Sequence, residues 1–174
     1  NQNLINLIEY YSLVNANLIL SNKPLKRTSS SQNMSFSGSK SEKLEKLKNS
    51  IKTIKNCELK KNAKNLVFGD GNINSNIMLI GEGPGANEDA EGKPFVGRAG
   101  KLLNKMLEAI QLDRKKVYIS NVVNYRPPNN RKPTEEEIER YLPYLKTHIE
   151  IINPKIILLL GSTALNALIG NEVV

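Results

Sequence analysis

Between Gly81 and Gly100 the chain reads GEGPGANEDAEGKPFVGRAG, a stretch rich in the residue types that chemistry needs. Four carboxylates, Glu82, Glu88, Asp89 and Glu91, can exchange protons or face a positive charge. Six glycines let backbone approach a ligand closely, two prolines stiffen the turns, and Phe95 offers an aromatic face. Asn121 adds an amide at the end of a short apolar run, and residues 126–131, RPPNNR, add a stiff cationic turn. A long loop after a strand is more often a working surface than a mere connection. A dinucleotide cradle is disfavoured. Gly81-x-Gly83-x-Gly85 lacks the G-x-G-x-x-G spacing, and Glu88, Asp89 and Glu91 follow where a pyrophosphate tolerates no anions.

Positioning these residues is the work of alternating elements. Residues 4–20 place apolar side chains at near-helical spacing, which predicts an amphipathic N-terminal helix over residues 1–20 for packing or partner docking. Residues 21–40 are polar and serine-rich and read as a flexible linker. From residue 41 a domain runs to 174, opening with a helix over Ser41–Ile54. Leu66–Phe68 reads as a short strand closed by the turn Gly69–Asn72, and Ile77–Ile80 as a buried strand. Ala99, Leu102, Leu103, Met106, Leu107 and Ile110 then form one helical stripe.

Val117–Asn121 predicts the next strand. Thr134 with Glu137 forms a capping box for a helix that Pro143 should kink or break. Ile156–Leu160 predicts a last strand, with Ser162 or Thr163 capping a final helix. This alternation calls for an α/β fold, a parallel sheet with helices on both faces. In such sheets ligands bind beyond the carboxyl ends of the strands. That places the Gly81 loop, Asn121 and the Arg126–Arg131 turn around one crevice.

At 174 residues the chain can bury one ordinary core. It has no apolar run of membrane length and no signal-peptide pattern, so the expectation is a cytoplasmic protein that binds no membrane. The +8 net charge is uneven: residues 23–64 hold 12 Lys and Arg against 3 Asp and Glu, and the rest 13 against 14. The basic segment is either a DNA-binding arm acting through counterion release or a solvated linker.

The long string GEGPG-x-x-ED-x-x-G-x-PFVG-x-AG-x-LL closely resembles the active-site segment of family 4 uracil-DNA glycosylases. VYISNVV, RPPNNRKPT-x-x-E and PKIILLLGSTA follow in the family's order, and the resemblance covers Cys57 to Leu168. It implies a uracil-DNA glycosylase-like α/β fold and a monofunctional DNA repair enzyme. Such an enzyme hydrolyses the N-glycosidic bond of uracil in single- or double-stranded DNA, here as a monomer. A uracil pocket needs an aromatic face, an amide that reads the base edge and a tight backbone pinch. Phe95, Asn121 and the glycines Gly83 and Gly85 supply them, in agreement with the family's uracil-binding residues. The resemblance points to Glu82 at the base of the pocket and to Glu88 near the uracil C5 edge, as the catalytic carboxylates. The water-activating aspartate of family 1 falls at Gly83 here and is not carried over. Arg126, Asn129, Asn130 and Arg131 suit a grip on the DNA backbone, or else form a rigid turn with solvated arginines.

The chain departs from the resemblance in two places. Family 4 members commonly hold a 4Fe-4S cluster on four cysteines. Only Cys57 matches, with Lys60, Tyr125 and Tyr141 at the other positions, so no cofactor is expected. The family's C-terminal histidine motif has no counterpart before Val174, which leads to the expectation of a C-terminally incomplete domain. His148, the single histidine, reads as a packing residue. The alternative function is a non-catalytic nucleic-acid-binding or interaction module.

Overall fold

The structure, a computed structural model, describes residues 34–170. The expected N-terminal helix and most of the linker lie outside them. Ser39 caps helix α1 (Lys40–Lys52): its hydroxyl accepts the Glu42 amide at 3.3 Å and the Glu42 carboxylate takes the Ser39 amide at 2.7 Å. A short helix α2 (Glu58–Asn62), unforeseen in the sequence, follows. Then come β1 (Asp70–Gly71), β2 (Ile77–Gly81), α3 (Ala86–Glu91), α4 (Arg98–Ala109), β3 (Tyr118–Asn121), α5 (Glu135–Ile152), β4 (Ile156–Leu159) and α6 (Ser162–Ile169).

The sheet order is β1-β3-β2-β4. Strands β3, β2 and β4 are parallel, while β1 pairs antiparallel with β3, so the sheet is mixed at one edge rather than wholly parallel. Alternate residues feed two cores. Met78, Ile80 and Tyr118 pack with Leu47 of α1, Tyr141 and Leu145 of α5 and Ala164 of α6. Leu79 and Ile119 face the other way, onto Leu103 and Leu107 of α4. Helices therefore cover both faces, as the apolar runs required.

Four expectations need correction. Leu66–Phe68 is not a strand, because polar side chains satisfy its backbone: Ser120 Oγ donates to the Phe68 carbonyl (2.8 Å) and Asn124 Nδ2 to that of Val67 (3.1 Å). The pairing strand is instead Asp70–Gly71, inside the expected turn. Of the α4 stripe only Leu103 and Leu107 are buried, while Ala99 is exposed and Leu102, Met106 and Ile110 lie on a flank that is about 60% exposed. Helix α5 runs unbroken through Pro143. The amide that proline lacks would have met the carbonyl of Glu139, an exposed residue. The Thr134–Glu137 capping box forms as expected (3.2 and 2.8 Å). Finally, Gly161, with φ 99°, caps α6, and neither Ser162 nor Thr163 does. The outer strand β4 exposes Ile156, Ile157 and Leu158.

His148 is buried as expected. It stacks on Phe68 (centroids 4.3 Å apart, 16° between planes) and its Nε2 lies 2.9 Å from the Tyr118 hydroxyl. Burial pushes its pKa down to about 3. The unfolded chain, with an ordinary histidine pKa of about 6.5, therefore binds this proton first. Stability should fall as pH drops from about 6.5 toward 3, with a slope approaching ~1.4 kcal/mol per pH unit. Urea unfolding between pH 6.5 and 5, above the carboxylate range, isolates this one histidine. His148→Phe should flatten the slope there while lowering stability at every pH, and an unchanged slope would contradict a neutral buried imidazole.

Candidate active site

Parallel pairing puts Gly81 at the end of β2 opposite Asn121 at the end of β3. Pairing continues past both strands, with Val122 and Val123 donating to the Gly81 and Glu82 carbonyls (2.8 and 3.2 Å). Beyond these ends the chains splay around a cleft of about 380 Å³, lined by Gly83, Gly85, Glu88, Phe95, Asn121 and Asn130 among others. The glycines at its floor are sterically required. A Cβ on Gly81 would sit 2.5 Å from Phe95 Cζ and 2.7 Å from Asn121 Oδ1. One on Gly83 would sit 2.7 Å from Val123 Cγ2. The aromatic ring and the amide thus meet directly above the Gly81 backbone.

Asn121 is 2% exposed, and neither its Oδ1 nor its Nδ2 has a hydrogen-bond partner. A buried polar group left unpaired costs about 1–3 kcal/mol. Asn124, three residues on, has its amide nitrogen bonded to Val67, so the deficit is particular to the cleft. A ligand that offers both a donor and an acceptor would relieve it.

Phe95 has φ 55°, a left-handed conformation rarely adopted by a bulky residue. Helix α3, which was not foreseen within the loop, supplies one restraint. Its Glu88 carboxylate accepts the amides of Val96 (2.9 Å), Gly97 (2.7 Å) and Gly85 (3.1 Å). Burial opposes ionisation of Glu88. The amides of Gly97, Glu88 itself, Val96 and Gly85 nonetheless hold its pKa below the ordinary carboxylate value. Gly100 leaves room for the Phe95 carbonyl, onto which a Cβ at that position would fall. Asp89 is buried and ties the loop back, taking the amides of Lys64 and Asn65 (2.9 and 3.0 Å), and Glu91 is exposed.

Glu82 is half-buried and, unlike Glu88, is not among the residues that line the cleft; the Thr163 hydroxyl donates to its carboxylate. Thr163 thus bonds to Glu82 rather than capping its helix, a contact no local sequence signal announces. In the 126–131 turn, Asn129 and Asn130 both have φ 55° and Arg126 Nε donates to Asn130 Oδ1 (2.7 Å). Arg131 makes a two-pronged pair with Glu137 of α5 (2.7 and 2.8 Å). Of the four turn residues only Asn130 lines the cleft. The other three stand outside it, and Arg131 is committed to the helix start.

The positions that the resemblance assigns to an iron–sulfur cluster do not fit one. Cys57 Sγ lies 3.2 Å from the Tyr141 hydroxyl, and both are buried together with Tyr125 in the core around α1 and α5. Burial, followed by the bond to Cys57, raises the Tyr141 pKa, so it stays a neutral phenol. Lys60 is exposed and donates to the Lys52 carbonyl. One thiol and two tyrosines cannot replace four thiolates. Among the described residues no group of three or more His, Cys, Asp or Glu side chains is arranged to hold a metal.

A glycine-floored cleft at the carboxyl ends of parallel strands, bordered by an aromatic ring and an unpaired amide, stands where α/β domains bind their ligands. Residues 68–173 match the family model described as the uracil DNA glycosylase superfamily, and the chain belongs to that superfamily. Its curated relatives include type-4 uracil-DNA glycosylases from Sulfurisphaera tokodaii (52% identical over 68% of this chain and 54% of the relative) and Thermotoga maritima (48%, over 70% and 64%). A third is from Pyrobaculum aerophilum (47%, over 72% and 64%). The chain therefore spans between about half and two thirds of the length of these relatives.

Proposed function

We propose that this domain captures a uracil flipped out of DNA and hydrolyses its N-glycosidic bond, as the names of its relatives suggest. The unpaired Asn121 amide carries the reading. Uracil presents adjacent carbonyl acceptor and N3–H donor groups, so Nδ2 can donate to O4 while Oδ1 accepts from N3–H. Phe95 stacks on the ring, and Gly83 and Gly85 bring backbone close to it. Glu88, whose oxygens serve the loop amides, borders the C5 edge, where the methyl of thymine would add bulk. In hydrolysis, water oxygen bonds to C1′, the C1′–N1 bond breaks, and N1 leaves with the electron pair while the water proton passes to solvent or base. On this reading Glu82, which Thr163 holds outside the cleft lining, is the carboxylate that would face the cationic sugar or orient that water. Asn130 and Arg126 are the turn residues best placed to meet DNA backbone beside the flipped nucleotide.

The domain also works without an iron–sulfur cluster on this reading, with Tyr125 and Tyr141 filling the core at Cys57. Metal analysis of purified protein should find no stoichiometric iron and no visible charge-transfer absorbance, and stoichiometric iron in a monomer would contradict it.

The pocket is tested by affinity for a single strand carrying non-hydrolysable 2′-fluoro-deoxyuridine against the same strand with thymidine, alongside single-turnover excision of deoxyuridine. Phe95→Ala should cost about 1–3 kcal/mol of uracil-specific binding. Asn121→Ala should cost a similar ~1–3 kcal/mol by removing both polar partners. Affinity for the thymidine strand should barely change. Equal affinity for both strands in the parent protein, untouched by either substitution, is the behaviour of a binding module that reads no base.

A further inference from the structure

The backbone of Phe95 is gripped from two sides. Glu88 holds the amides that follow it, and a second group holds the carbonyls at and before it. Arg114, in the turn between α4 and β3, donates from Nη1 to the Phe95 carbonyl (2.9 Å) and from Nη2 to that of Pro94 (2.7 Å). The same guanidinium is aimed by Asp70 of β1, whose Oδ2 accepts from Nε (2.9 Å) and Nη2 (2.7 Å). Both side chains are largely buried, at 23% and 29% exposed. Two bonds from one planar fork fix the direction of two successive carbonyls while two more anchor the fork to Asp70, which a lysine ammonium cannot do. A left-handed conformation at a bulky residue is unfavourable and persists only where its surroundings over-determine it.

Resting on the uracil-pocket reading above, we propose that Arg114, aimed by Asp70, is a positioning residue for base recognition. It holds the Pro94–Phe95 peptide in its left-handed turn and thereby sets the ring over Gly81 beside Asn121, without touching the base. This also gives a purpose to the antiparallel edge strand β1, which adds only two residues to the sheet. It brings Asp70 within reach of the turn after α4.

The test uses the full chain with ¹³C-labelled phenylalanine, of which there are three: Phe36, Phe68 and Phe95. Arg114→Gln should shift and broaden the Phe95 ring signals and leave those of Phe36 and Phe68 at their native positions, which also reports an intact fold. Asp70→Asn, a milder change, should move them in the same direction, and Arg114→Lys should restore them only in part. Arg114→Gln should lower the preference for 2′-fluoro-deoxyuridine over thymidine strands by roughly tenfold, and should have no further effect in a Phe95→Ala background. Phe95 signals unmoved in folded Arg114→Gln and Asp70→Asn would overturn the clamp, as would a tenfold loss that persists without the Phe95 ring. Signals that move in a protein whose parent form never preferred uracil would uphold the clamp and count against the uracil pocket instead.

Discussion

The register that sets Gly81 opposite Asn121 is the constraint on which the site depends. Shifted by one residue, β3 would turn Tyr118 and Ile119 to opposite cores, and Asn121 would no longer face the Gly81 loop. That register is secured by burial. Met78, Leu79, Ile80 and Ile119 are each at most 1% exposed, so a slip would expose some apolar side chains and bury others without matching space. The two-sided core that makes this protein an α/β domain is therefore also what aims the one buried amide left unpaired among the described residues.

Around that point the structure accepts local costs. Asn121 lacks partners, Phe95 sits in a left-handed turn, and so does Asn130 on the cleft lining. Two of these conformations are held by side chains from outside their own residues: Glu88 and Arg114 grip the Phe95 loop, and Arg126 bonds to Asn130. Such concentration of strain and unsatisfied polarity at one place marks a site organised for a ligand. The tyrosine-filled region around Cys57 shows the opposite economy, with paired polar groups and close packing.

Most of the fold was legible because its signals are local. The runs at Ile77–Ile80 and Ile156–Leu160, the Thr134–Glu137 box and the period of α4 all formed close to where they were read. What escaped was set by partners distant in sequence. Leu66–Phe68 bonds to the side chains of Ser120 and Asn124 and to the Asn124 carbonyl instead of pairing as a strand, and most of the α4 stripe stayed exposed. At the site, the convergence of Phe95, Asn121 and the glycines was readable from the strand-end rule and the motif. Arg114 and Thr163 were not. Their roles depend on hydrogen bonds spanning 19 and 81 positions, which no spacing in the chain announces.

The central claim is that Asn121 is kept unpaired to read a pyrimidine edge, and its own side-chain resonances test this most directly. In a ¹⁵N–¹H spectrum of the protein titrated with free uracil, the Asn121 NH₂ pair should shift and exchange more slowly with solvent. The Asn124 pair, already bonded within the fold, should stay in place. An Asn121 pair that is indifferent to saturating uracil would contradict the claim.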